Sequence, residues 1–141
     1  MKRIQRQLSL IGLILILGGC AGAVSDKHHI EEPMTLEEVA SDVIPRVTLT
    51  EQAAERLEIK TVPVEQSEQW LVVPSDAILV DKAGLFWLYT SPEPLVFLRS
   101  EVGVSHDDGE HAFLTHGPDP GTSVVIVGVP ELYGAETGVG H

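Results

Sequence analysis

The 141-residue chain has one cysteine, few aromatic residues and only nine Lys and Arg against 21 Asp and Glu. A single cysteine rules out an intrachain disulfide. A net charge of −12 leaves no cluster of cations of the kind a phosphate backbone requires, which excludes nucleic-acid binding. Long apolar runs are missing too. The most extended, Leu8 to Leu17, is interrupted by Ser9 and Gly12 and falls far short of the roughly 20 residues that cross a bilayer core. No sustained heptad pattern occurs, so no coiled-coil hairpin is expected. The G-x-S-x-G, G-x-x-x-x-G-K-[ST], H-E-x-x-H and G-x-G-x-x-G signatures are also absent. The paired acids Glu31-Glu32, Glu37-Glu38 and Asp107-Asp108 sit in hydrophilic stretches, not in a pattern that would hold two carboxylates across a cleft. These absences argue against an enzyme.

The N-terminus carries a pattern of its own. Lys2, Arg3 and Arg6 precede the short apolar run, and small residues follow it, the layout of a secretory signal. The run ends in Leu17-Gly18-Gly19-Cys20, which resembles the lipobox of bacterial lipoproteins. That resemblance implies cleavage before Cys20 and lipidation of its thiol, so residues 1–19 are expected to be a signal peptide. Two or three acyl chains would anchor the chain stably, where a single one is marginal. Cleavage removes three of the nine basic residues and none of the acidic ones, which moves the net charge from −12 to −15.

Residues 20–46 are polar and acidic, with His28-His29-Ile30-Glu31-Glu32-Pro33, and read as a tether. Inside it, Thr35-Leu36-Glu37-Glu38 fits a capping box, and Leu36, Val39, Ala40 and Val43 keep helical spacing, which predicts a short helix. Thr50 is positioned to cap a second short helix through Glu51 to Leu57. Strand-like runs follow at Ile59–Glu65, Trp70–Val73, Ala77–Val80, Leu85–Thr90, Val96–Val104, Ala112–Thr115 and Ser123–Gly128, separated by Pro, Gly and Asp turns. The expectation is a mainly β fold: a small antiparallel barrel or roll over residues 47–136 with one or two short helices, then a tail at 137–141. Val96, Leu98, Ser100, Val102 and Val104 alternate with Phe97, Arg99, Glu101 and Gly103, as in a half-buried strand with one apolar and one mixed face. Val124 to Val127 is continuously apolar, which predicts burial on both faces. Trp70, Phe86, Trp87, Tyr89, Phe97 and Phe113 are the large side chains expected to pack the core.

Val73-Pro74-Ser75-Asp76-Ala77-Ile78-Leu79 followed by Gly84-Leu85-Phe86-Trp87-Leu88-Tyr89 resembles a stretch of the periplasmic adaptor subunits of efflux pumps. These are the membrane fusion proteins that serve resistance-nodulation-division transporters, and the likeness is to their heavy-metal branch. It extends through Phe97 to Val104, to Gly117-Pro118-Asp119-Pro120-Gly121-Thr122-Ser123-Val124-Val125, and upstream to Leu49 to Thr61. The resemblance implies the membrane-proximal β domain of such an adaptor. It also implies a gap, because an adaptor runs out into further domains between the phrases that here end near Glu65 and resume near Trp70 across Gln66-Ser67-Glu68-Gln69. The function implied is that of a lipid-anchored accessory protein on the extracytoplasmic face of the membrane, periplasmic or cell-surface, that docks to an RND or ABC-type transporter.

An alternative of another class rests on the histidines. His106 and His111 flank Asp107-Asp108-Gly109-Glu110, and His116 begins the next turn. A turn that gathered His106, His111 and His116 would offer imidazoles to zinc or copper, making the chain a metal-binding surface lipoprotein. The spacing matches no closed structural site, and the mature chain has only Met34 as a methionine ligand, so weak binding and no resident cofactor are expected.

Overall fold

The computed structural model describes residues 32–37 and 44–138. The expected lipidation site at Cys20, the expected signal segment and tether through Glu31, the predicted helical positions 38–43 and residues 139–141 of the tail lie outside the described residues.

The domain is mainly β, as its turn spacing predicts. Its elements are β1 (Met34–Glu37), β2 (Arg46–Leu49), α1 (Glu51–Arg56), β3 (Lys60–Pro63), β4 (Glu65–Ser67), β5 (Trp70–Pro74), a single 3-10 turn (Ser75–Ala77), β6 (Leu79–Val80), β7 (Phe86–Glu93), β8 (Val96–Asp107), β9 (His111–His116), β10 (Ser123–Val127) and α2 (Val129–Glu136). All strand pairs are antiparallel, in the order β3-β10-β7-β8-β9-β5-β4. The two ends of that path are consecutive in sequence. At the joint, Val64 N–H donates to the Thr122 carbonyl (2.8 Å) and the Val64 carbonyl accepts from Gly121 N–H (2.8 Å). One nearly continuous strand therefore lies along β10 with its first half and along β5 with its second, which brings the sheet to near closure and leaves little free edge.

Adjacent residues on one strand feed two different cores, as the period of two requires. Leu88, Val102, Leu114 and Val124 pack inside the barrel with Val64, Val73, Ala77 and Ala112. Their neighbours Tyr89 and Val125 instead join Val47, Leu49, Phe97, Val129 and Leu132 in a second core outside it. Val124 and Val125 are both fully buried, so the predicted two-sided burial holds there. The outer core corrects the reading of β8 as a half-buried strand. Phe97 is fully covered and Arg99 nearly so, because β2 and α2 roof that face. Of the six aromatics expected in the core, only Tyr89 and Phe97 join a buried cluster; Trp70, Trp87 and Phe113 are half-buried outside both clusters, and Phe86 stands exposed.

Two local predictions part ways. α1 forms where Thr50 was placed as its cap, with Ala53 N–H donating to Thr50 Oγ1 (3.2 Å). The capping-box segment, by contrast, does not start a helix. Met34–Glu37 is a strand, paired from Met34 opposite Leu49 to Glu37 opposite Arg46. Four residues carry too little helical propensity to resist an open sheet edge that satisfies their backbone groups at once.

α2 hangs on Gly128, whose φ of +93° belongs to the left-handed region. A side chain there would be strained and its Cβ would collide with Ile59 Cδ1. Gly128→Ala should cost about 1–3 kcal/mol, from left-handed strain plus repacking of Ile59. Gly134→Ala should do the opposite. It lies mid-helix with open space around a built Cβ, so it should stabilise by about 0.5–1 kcal/mol. Chemical denaturation of the two variants side by side checks the opposed signs.

Candidate docking face

The histidines do not assemble. His106 on β8 stacks on Phe113 (ring centroids 4.3 Å, interplanar angle 4°) and meets the edge of Trp70 at 5.9 Å. His111 opens β9 opposite Pro74 of β5. His116 closes β9 opposite Gly103, its ring so close that a Cβ on Gly103 would strike Nδ1. Five residues of strand put His111 and His116 about 17 Å apart. The prediction that a turn gathers the three is thus corrected: His106 leans outward onto an aromatic ring, and the other two mark opposite ends of one strand. Among the described residues no three His, Cys, Asp or Glu side chains are grouped to hold a metal ion.

The acids beside them serve the turn. Asp108 Oδ1 accepts from His111 N–H (2.7 Å) and Glu110 N–H (2.9 Å), and these two backbone donors hold its carboxyl below the usual carboxylate range. Asp107 Oδ1 accepts from the Ser75 hydroxyl (2.7 Å) and from Gly109 N–H (2.7 Å). Ser75 is thus a donor to an exposed turn, with its hydroxyl directed at a carboxylate.

Among the described residues, a groove of about 410 Å³ lies between the two helices. α1 contributes Ala53 and, just past its end, Leu57. α2 contributes Leu132 and Ala135, and β1 and β2 contribute Met34 and Leu49. The surface is therefore apolar, with Arg56 and Glu131 at its borders. Capping fixes α1, and the Pro33 carbonyl accepts from Thr50 N–H (3.1 Å), which seats the start of β1 against the helix.

α2 is fixed by a buried polar network that the sequence patterns do not announce. Arg99 on β8 ion-pairs with Glu136 (2.9 Å), their side chains 15% and 3% exposed. Glu136 also accepts from the Tyr89 hydroxyl. The Arg99 guanidinium lies 4.3 Å over the Trp87 ring and 5.4 Å from that of Tyr133. Trp87 Nε1 in turn donates to Asp81 Oδ2 (2.9 Å). Burial, then the bond to Glu136 and its charge, push the Tyr89 hydroxyl well above the ordinary tyrosine range, against the opposing pull of Arg99. Arg99 was legible as part of a strand motif. Its partner was not, because Glu136 follows it by 37 positions on a helix that the sequence reading treated as the end of the domain.

No protein-family model, curated protein or solved structure matches this chain.

Proposed function

We propose that the chain is a lipid-anchored extracytoplasmic accessory protein, a reduced form of the adaptor it resembles, that works by docking to a membrane transporter. The observation that carries this reading is the apolar groove between α1 and α2, built from Ala53, Leu57, Leu132 and Ala135 and braced underneath by the Arg99–Glu136 pair. A rigid apolar concavity with one charge of each sign at its border suits an apolar protein segment better than a small polar substrate. The hairpin that replaces the adaptor's long excursion agrees with it. Ser67 pairs directly with Trp70, so only Glu68 and Gln69 form the turn, and Glu68 takes a positive φ of 54° to close it. The strands run straight on from the opening phrase to the closing one, and docking is left to the barrel and its helices.

Photo-crosslinkers placed at Leu57 and Ala135 in the lipidated protein test this in native membranes. The expected result is an adduct to an integral transporter, identified by mass spectrometry, that disappears when Ala53→Glu fills the groove. Crosslinking that yields no transporter from either position removes the docking function.

A further inference from the structure

Four large apolar side chains stand exposed among the described residues, and three of them crown one hairpin: Val80 (53%), Leu85 (43%) and Phe86 (37%). Val80 and Phe86 face each other across the β6–β7 pair, and Leu85 follows in the connecting turn. We propose that this crest inserts into the surface of a zwitterionic bilayer, giving the chain a second membrane contact beside its lipid. The inference rests on the reading of Cys20 as the lipid anchor and on nothing about the transporter.

Three features favour a lipid surface. Val80, Leu85 and Phe86 stand exposed together, and so small an apolar patch fits a deformable medium, whereas a protein partner would need a matching pocket. Its backbone is already satisfied. Asp81 Oδ1 accepts from Ala83 N–H (2.8 Å) and Leu85 N–H (3.0 Å), the Asp81 carbonyl accepts from Gly84 N–H (3.0 Å), and Asp81 N–H donates to the Leu85 carbonyl (3.0 Å). Few donors are then left to be stripped of water when the turn leaves the aqueous phase. Charge is arranged to match. Asp81, the one acid between Ile78 and Ser91, is folded back onto the turn and the Trp87 indole, which leaves Lys82 as the outward charge of the hairpin itself, on a stem long enough to reach the headgroups; the exposed Glu101 of the adjoining β8 lies opposite Trp87. Elsewhere the chain is strongly acidic, so it is repelled by anionic lipid, and the crest is the segment that a neutral interface accepts.

Chain length permits both contacts at once. The crest lies at the Val102 level of β8, and the tether enters near Val96, six residues or about 20 Å away along the strand. Residues 21–32 can reach about 40 Å when extended. The anchor holds the crest at high local concentration beside the bilayer, so a few side chains suffice where they would fail in a free protein.

Val80→Cys and, as a control at the far end of β7, Glu93→Cys provide dye attachment points in the full lipidated chain, whose Cys20 thiol the lipid would block. In pure phosphatidylcholine vesicles an environment-sensitive dye at position 80 should shift to the blue and be quenched several-fold by spin-labelled lipid, while one at 93 stays water-exposed. Leu85→Glu together with Phe86→Ser should abolish the shift at 80 with an unchanged melting profile. Equal emission at 80 and 93 overturns the proposal. A shift at 80 seen only in native membranes overturns it in favour of a protein partner. Two dyes per chain in the Val80→Cys variant would mean a free Cys20 thiol and would remove the anchor on which the inference stands, separately from the behaviour of the crest.

Discussion

Glu136→Ala is expected to be the most damaging single substitution in the barrel, lowering unfolding free energy by about 3–5 kcal/mol, the usual loss when one member of a buried ion pair is removed. The carboxylate is nearly inaccessible and holds two partners, Arg99 and Tyr89. Its loss strands a guanidinium that is 15% exposed and whose Nε already lacks an acceptor among the described residues. Trp87 and Tyr133 would still flank the cation, but aromatic faces compensate only part of the lost charge. For a domain of this size the shift corresponds to a fall in Tm of well over 10 °C. Glu136→Gln keeps an acceptor for the tyrosine and should cost less than half as much. If the alanine variant melts within 1–2 °C of the parent (~0.3 kcal/mol), α2 is not held in the way described.

Alkaline pH offers an independent reading of the same contact. The Tyr89 hydroxyl has a folded pKa above its unfolded value of about 10, because burial and the Glu136 carboxylate both disfavour a phenolate. The folded chain therefore keeps a proton that the unfolded chain releases, so this contribution is complete below pH ~10 and is lost as pH rises above it. Tyr89→Phe should start out less stable by about 1–2 kcal/mol, the cost of an unpaired acceptor, and should lack this part of the alkaline decline.

How far the sequence revealed this arrangement follows from where each signal is stored. Alternation and turn residues are local, so β5, β7, β9 and β10 could be placed within a few positions, and Thr50 announced its helix through one hydroxyl. The strands β1 and β2 could not be placed that way. Met34–Glu37 is exposed except at its first residue and carries a capping-box pattern, so its strand state exists only because β2 presents an edge to it. α2 was hidden for a related reason. Val129 and Pro130 are plausible as the end of β10, and Gly134 lowers helical propensity in a segment of only eight residues. Missing α2 meant missing what covers Phe97 and Arg99, and so missing the outer core, the groove and the buried network together. The histidine reading failed on the same ground, since it relied on proximity in sequence where β-sheet register decides proximity in space.

Cys20→Ser is the prediction with the largest functional consequence, although that residue lies outside the described part of the chain. If the thiol carries a diacylglycerol, its replacement removes two acyl chains whose burial contributes about 0.8 kcal/mol per methylene, far more than any exposed side chain of the barrel can supply. The variant is expected to leave the washed membrane fraction almost completely. The melting curve of its soluble domain should match that of the parent, because the strands from Arg46 to Val127 pair with one another and bury their own core. Association of the Cys20→Ser protein with phosphatidylcholine vesicles should be lost as well, since the few side chains of the crest bind measurably only at the local concentration the anchor supplies. Mass spectrometry of the parent should find the added lipid on the fragment beginning at Cys20. An unmodified thiol there, or an unchanged membrane fraction in the serine variant, would reject the anchor, and with it the proposed docking at a membrane transporter.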